Sequence, residues 1–205
     1  MDHLPIRRAL VSVTDKSGLV PLCQALAREG TEIVSTGGTR KKILDAGCPV
    51  TSVSDVTGFP EILGGRVKTL HPLIHAGILA DKDSPEHMDT LQEQAVQPFD
   101  LICVNLYNFE EASRRTSNAR ELVEEIDIGG PTLLRAGAKN YHSILVLPDP
   151  SCYEPFLEDW RSNAYQVGLD FRLKMAIRTF TMVSHYDAMI AEAFQSLDQA
   201  EGGWQ

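Results

Sequence analysis

Nine consecutive residues, Gly64-Gly65-Arg66-Val67-Lys68-Thr69-Leu70-His71-Pro72, carry the densest chemistry in the chain. In extended backbone Arg66 and Lys68 project to one side, with Thr69 and His71 opposite. Two parallel cations suit an anion, and the paired glycines and flanking apolar residues argue against a freely solvated basic loop. Ser35-Thr36-Gly37-Gly38-Thr39 points the same way. Between a strand and a helix start, glycine lets the backbone approach a ligand while N–H groups and hydroxyls converge on a phosphate. An ordinary glycine turn is the competing reading, since the pattern is not the P-loop G-x-x-x-x-G-K-[ST]. Thr14-Asp15-Lys16-Ser17 offers a further cation and hydroxyls at the end of another strand.

Two more segments could move protons. Asn105-Leu106-Tyr107-Asn108-Phe109 follows the most hydrophobic strand, so Tyr107 is either a group at a ligand-binding strand end or an aromatic cap on the core. Asp127-Ile128-Gly129-Gly130-Pro131 sets a carboxylate before a helix whose unpaired N–H groups form an anion or oxyanion site. A plain N-cap role for Asp127 reads equally well. Arg135 and Lys139 stand at i, i+4 on that helix, where the bland reading is two exposed cations, one of them offsetting the helix dipole. His71 and His75 have a metal-like spacing, but without an H-E-x-x-H arrangement or a third ligand no metal is expected there.

These residues need a scaffold that gathers them. Apolar runs predict strands at Ile6 to Val13, Thr31 to Ser35, Pro49 to Val53, Phe99 to Leu106 and Ser143 to Leu147. Helical periodicity predicts helices at Gly18 to Glu29, from Gly37-Gly38 through Ala46, and at Ser84 to Val96, Asn118 to Ile126 and Pro131 to Ala138. Such alternation means an α/β fold, a mostly parallel sheet flanked by helices, with the strand ends and their loops along one edge. Pro150 to Asn163 and Gly168 to Leu197 hold no convincing strand and read as a C-terminal helical segment.

Composition narrows the partners. The 205 residues are 43% hydrophobic and 23% charged, which suits a folded globular chain. The 19 Lys and Arg against 28 Asp and Glu give a formal net charge of −9, a repulsive field for a nucleic acid. Cations gathered at one mouth still allow a small anionic ligand. Cys23, Cys48, Cys103 and Cys152 form no C-x-x-C pair and read as reduced, structural thiols. With no signal-like N-terminus and no membrane-length apolar run, the expectation is a cytoplasmic protein that binds neither membrane nor nucleic acid.

Taken in order, the segments S-x-x-D-K-[ST]-G-L, S-T-G-G-T, G-F-P-E-I-L-G-G-R-V-K-T-L-H-P, N-L-Y, I-D-I-G-G-P and R-A-x-A-K-N resemble the inosine-monophosphate (IMP) cyclohydrolase family, the partner of AICAR transformylase in bifunctional purine-biosynthesis proteins. The resemblance runs from about Ala9 to at least Asp187 and includes Ser184-His185-Tyr186-Asp187, which looks like the family's passage out of the cyclohydrolase domain. It implies a methylglyoxal-synthase-like fold. The implied activity is dehydrative ring closure of the ribotide FAICAR to IMP, with a small-molecule nucleotide as partner and no cofactor. By the same resemblance Ser12, Lys16, Ser35, Thr36, Gly37, Gly38, Thr39, Arg66 and Thr69 would hold the 5′-phosphate. Asn105 would also bind substrate. Lys68 and the N–H groups of Ile128, Gly129 and Gly130 would stabilise the oxyanion, Tyr107 and Lys139 would form the proton-transfer pair, and Asp127 would orient the carboxamide or accept its proton. Residues 1–148 are expected to form the α/β core and 149–205 a helical segment completing the same domain, with no transformylase domain and a homodimer left open.

The chain departs from the family pattern twice. Asn108 replaces the proline of N-L-Y-P-F, which would stiffen the turn after Tyr107. Gly137 replaces an alanine in R-A-A-A-K-N, at about 1 kcal/mol in helix propensity. Two rival functions share the fold. One is methylglyoxal synthase, whose G-D-x-x and W-D-P-L segments are not found here. The other is a nucleotide- or phosphate-sensing regulatory domain, in which Tyr107, Asp127 and Lys139 would be superfluous.

Overall fold

The computed structural model describes residues 1–116 and 118–199. Its centre is a parallel sheet of five strands, β2 (Arg8–Ser12), β3 (Glu32–Ser35), β4 (Thr51–Ser52), β5 (Leu101–Val104) and β6 (Leu145–Leu147), in the order β4-β3-β2-β5-β6. A separate antiparallel pair joins β1 (His3–Pro5) to β7 (Gln166–Gly168). From β2 the chain winds outward through β3 and β4, then returns to lay β5 and β6 on the other side. The carboxyl ends of β2 and β5 therefore flank the point where strand order reverses, the crevice where open α/β sheets bind ligands.

Side chains alternate across the sheet and build one core on each face. Ala9 and Val11, Leu101 and Cys103, and Leu145 and Leu147 face α1 (Leu19–Arg28) and α9 (Tyr153–Ser162), packing with Leu22, Leu26, Phe156 and Trp160. The intervening Leu10, Ile102, Val104 and Val146 meet Ile74 and Ile78 of α4 (Pro72–Leu79) and Leu133 and Leu134 of α8 (Gly129–Lys139). The remaining helices are α2 (Gly37–Asp45), α3 (Val53–Thr57), α5 (Pro85–Glu93), α6 (Phe109–Arg115) and α7 (Ala119–Glu124). The 31-residue α10 (Leu169–Gln199) lies along α8, β6 and α6. All four cysteines are free and buried, and burial pushes the Cys103 thiol up to about 12.

The predicted α/β architecture is present, with three kinds of difference. The strand expected over Ile6 to Val13 is shorter, and β1 forms by pairing with β7, a strand absent from the sequence reading because both are three-residue pieces joined by long-range contact. α3, α4 and α6 were not anticipated. α4 reads as apolar on every side and is capped by His71, whose Nδ1 accepts the Leu73 N–H at 3.2 Å. Gly64 to Pro72 is not extended: Gly64 and Gly65 take φ of 64° and 96°, in a 3-10 turn enclosed by an antiparallel bridge between Ile62 and Val67. Residues 200–205 of the expected helical segment lie outside the described residues.

Candidate active site

The carboxyl ends of β2, β3 and β5 and the amino ends of α2 and α8 enclose a cleft of about 610 Å³. Its floor at one end is the start of α2. Ser12 ends β2, and its Oγ lies 3.0 Å from Thr36 Oγ1, so the Thr36 hydroxyl turns sideways and no side chain caps the helix. The N–H groups at the start of α2 consequently face the cleft with the helix dipole behind them. Thr39 ties the helix to β2: its hydroxyl accepts the Val13 N–H at 3.1 Å and donates to the Val13 carbonyl at 2.9 Å.

Lys16 is carried by the loop after β2, and Asn105 builds that loop. Asn105 Oδ1 accepts the N–H groups of Thr14 and Asp15 at 2.6 and 3.1 Å, and its Nδ2 donates to the Asp15 carbonyl at 2.8 Å. The side chain expected to bind substrate thus spends its hydrogen bonds on the loop, although the residue lines the cleft.

Arg66, Lys68 and Thr69 all line the cleft. This corrects the two-sided alternation read from the sequence, because the left-handed glycines bend the chain around the mouth instead of extending it. Neither cation is free in this structure. Arg66 is paired with Glu124, and Lys68 Nζ is 3.2 Å from Glu61 Oε1. Lys68 Nζ also lies near the α2 turn, 4.0 Å from where a Cβ on Gly37 would sit. Glu61 falls inside the long basic motif and could have been suspected there; Glu124 carried no local signal.

At the far end, Asp127 Oδ1 accepts the Gly130 N–H at 2.9 Å. Asp127 lines the cleft and holds one N–H of the first turn of α8 from the position before the N-cap, Ile128, so the Gly130 N–H is occupied instead of being offered to an oxyanion. Gly130 permits this approach: a Cβ there would stand 2.2 Å from Asp127 Oδ2. Burial raises the Asp127 carboxyl above its ordinary value, opposed by the N–H groups of Gly130 and Gly129 and by the Lys68 charge. Tyr107 stands half-exposed on the wall after β5, and Ile128 and Gly129 complete the rim.

Two expected residues lie off the cleft. Ser35 is fully buried and donates to the Val11 carbonyl at 2.6 Å, bracing β3 on β2. Lys139 is exposed at the last turn of α8. That helix starts at the carboxyl edge of the sheet and runs back toward the start of β6, so about 15 Å of helical rise separates Lys139 from Gly129. Lys139 offsets the helix dipole there, and the Tyr107–Lys139 pair does not form within one chain.

Among the described residues no cluster of three or more His, Cys, Asp or Glu side chains could hold a metal, and no helix is long and apolar enough to cross a membrane. His75 Nδ1 lies 3.3 Å from the His71 carbonyl oxygen, within α4.

Comparison with known proteins agrees with this geometry. Residues 137–204 match the AICARFT/IMPCHase bienzyme family. The chain is 48% identical over 195 residues to the bifunctional purine biosynthesis protein PurH of Rhodospirillum rubrum, covering 95% of this chain and 37% of that protein. It is 49% identical over 197 residues to the PurH of Mycobacterium ulcerans, again covering 95% and 37%. The chain thus spans a little over a third of the length of these curated relatives. The crystal structure of ForH matches at a TM-score of 0.84 and 33% identity, over 92% of this chain and 97% of that one. Residues 18–132, more than half of the sequence, match the MGS-like domain, and the chain belongs to that family.

Proposed function

We propose that this chain is an IMP cyclohydrolase, closing the six-membered ring of FAICAR with loss of water. The observation that carries the reading is the convergence of an uncapped helix start, three cations and a half-buried carboxylate on one cleft at the strand-order reversal. The names of the relatives, purine biosynthesis proteins, support the same reading.

The 5′-phosphate sits against the α2 N-terminus, where the backbone N–H groups of Gly37, Gly38 and Thr39, the hydroxyls of Ser12, Thr36 and Thr69, and the charges of Lys16 and Arg66 neutralise it. Arg66 exchanges Glu124 for the phosphate. The carboxamide is a poor nucleophile, so the cleft must hold it against the formyl carbon and absorb charge as the bond forms. The carboxamide nitrogen attacks the formyl carbon and gives one proton to Asp127, whose raised basicity suits the task. Lys68 stabilises the formyl oxygen, and Tyr107 protonates it. The proton on Asp127 then leaves with that hydroxyl as water, the former formamide N–H reprotonates Tyr107, and the purine ring is closed. No group outside this chain is required for the balance.

Mixing the protein with FAICAR and following ultraviolet absorbance tests the assignment, because cyclisation builds a purine and binding alone does not. Growth of the IMP spectrum is the expected result. Saturable binding with an unchanged spectrum would instead support the nucleotide-sensing module.

A further inference from the structure

Two arms of the cleft rest on one side chain that the reaction itself does not use. Tyr186 lies on α10, 59 residues beyond Asp127 in sequence, and is 3% exposed. Its hydroxyl oxygen accepts the backbone N–H of Asp127 at 2.9 Å. Its ring meets that of Phe109 edge to face, with centroids 6.1 Å apart and planes at 71°. Phe109 begins α6, two residues after Tyr107. Leu122 joins the same buried cluster from α7, the helix that also carries Glu124, the partner of Arg66.

The bond fixes Asp127 at both ends. Its carboxylate is held toward Gly130 and its N–H toward Tyr186, so neither main chain nor side chain can rotate without losing a hydrogen bond in a half-buried setting. Burial, together with the charge of Asp127, keeps the phenol in its neutral form, raised to about 12, and a neutral oxygen remains an acceptor throughout the working pH range. A phenylalanine would fill the same space and keep the Phe109 contact; only the hydroxyl answers the Asp127 N–H. The helical segment matched by the bienzyme family is thereby joined to a loop that lies within the MGS-like match.

We infer that Tyr186 is a positioning residue for ring closure, setting the Asp127 carboxylate through its backbone N–H and seating the turn that carries Tyr107. This rests on the cyclohydrolase reading, and the test separates the two. Wild-type chain, Tyr186→Phe, Asp127→Ala and the double variant are compared for FAICAR turnover and IMP binding, and amide hydrogen exchange is followed at Asp127. Expected for Tyr186→Phe is an about tenfold lower kcat, with KM and IMP affinity changed less than about twofold. The Asp127 amide should exchange faster while the core amides keep their protection. In the Asp127→Ala background the hydroxyl should have no further effect on kcat, as coupled residues require.

An unchanged kcat in Tyr186→Phe with a working wild type overturns the inference. So does an equal loss in both backgrounds, the mark of a purely structural role. If the wild type never turns FAICAR over, the cyclohydrolase reading falls. Exchange at Asp127 then decides whether Tyr186 holds the loop: an unaltered rate in Tyr186→Phe rejects it.

Discussion

The Gly130 N–H lies 2.9 Å from Asp127 Oδ1, so the carboxylate proposed to take a proton also satisfies an N–H in the first turn of the helix that follows it. The two duties are compatible because a carboxylate has a second oxygen to offer the cleft. They also make the site's pH dependence predictable.

Burial raises the Asp127 carboxyl above its unfolded value near 3.8. A carboxyl shifted this way favours the folded state while protonated, and that contribution is lost as pH rises through the raised value. Asp127→Asn should therefore melt progressively higher relative to wild type as pH climbs out of the acid range. Its kcat should fall by about 10² to 10³, and the acid limb of the wild-type kcat/KM profile, lying above the ordinary carboxylate range, should disappear. A limb that persists unchanged in Asp127→Asn assigns it to another group.

Lys16 and Lys139 separate the phosphate end from a residue outside the cleft. Lys16→Ala should raise KM and weaken IMP binding about tenfold or more with little change in kcat, as expected for a phosphate contact made equally in ground and transition states. Lys139→Ala should leave kcat and KM within about twofold, because the side chain lies at the opposite edge of the sheet. A kcat loss of tenfold or more in a folded Lys139→Ala protein would mean that a second copy of the chain delivers this lysine to the site.

The position of Lys139 shows where sequence reading stops. The motif R-A-x-A-K-N gives residue types in order but not which edge of the sheet a helix end reaches. The topology held the answer: a helix that begins at a strand's carboxyl end must finish near the amino end of the next strand. Ser35 was misjudged for another reason, since a hydroxyl in a strand-turn motif can serve the neighbouring strand as well as a ligand. The parallel sheet, the uncapped Gly37-Gly38 helix start and the cations at its mouth were legible from local pattern. The Glu124–Arg66 and Tyr186–Asp127 contacts were not, because each joins separate elements through side chains whose local sequence carries no mark of the partner, whereas Glu61 and Lys68 share one motif.

Gly137 looked costly in a helix, and the packing supplies the reason for it. A Cβ there would approach Val146 Cγ2 to 2.6 Å and Ile102 Cδ1 to 2.7 Å, so the glycine lets α8 lie close on β5 and β6. Gly137→Ala regains about 1 kcal/mol of helix propensity yet forces these branched side chains apart, and overpacking of this kind costs about 1 to 3 kcal/mol. The expected outcome in denaturant titration is a net loss of stability. Val146→Ala combined with Gly137→Ala should recover part of the loss relative to Val146→Ala alone, and an additive pair would show that Val146 is not the obstacle.

Asn108, the other departure, has a structural task of its own. Its Oδ1 accepts the Glu111 N–H at 3.2 Å and its Nδ2 donates to Glu111 Oε2 at 3.1 Å, capping α6 immediately after Tyr107. Its φ of −78° is within proline's range, so Asn108→Pro adds no backbone strain at that residue. The substitution removes a cap worth about 1 kcal/mol. In return it restricts the unfolded chain by about 0.4 to 1 kcal/mol. The two nearly cancel, so the slight rise in stability that stiffening alone would give is not expected: melting temperature should stay level or drop slightly. Asn108→Ala loses the cap without the compensation and should be the less stable of the two. Because Phe109 remains seated on Tyr186 in both variants, kcat should move by less than about threefold. A tenfold fall in kcat for folded Asn108→Pro would show that the asparagine side chain, and not the aromatic seat behind it, sets the position of Tyr107.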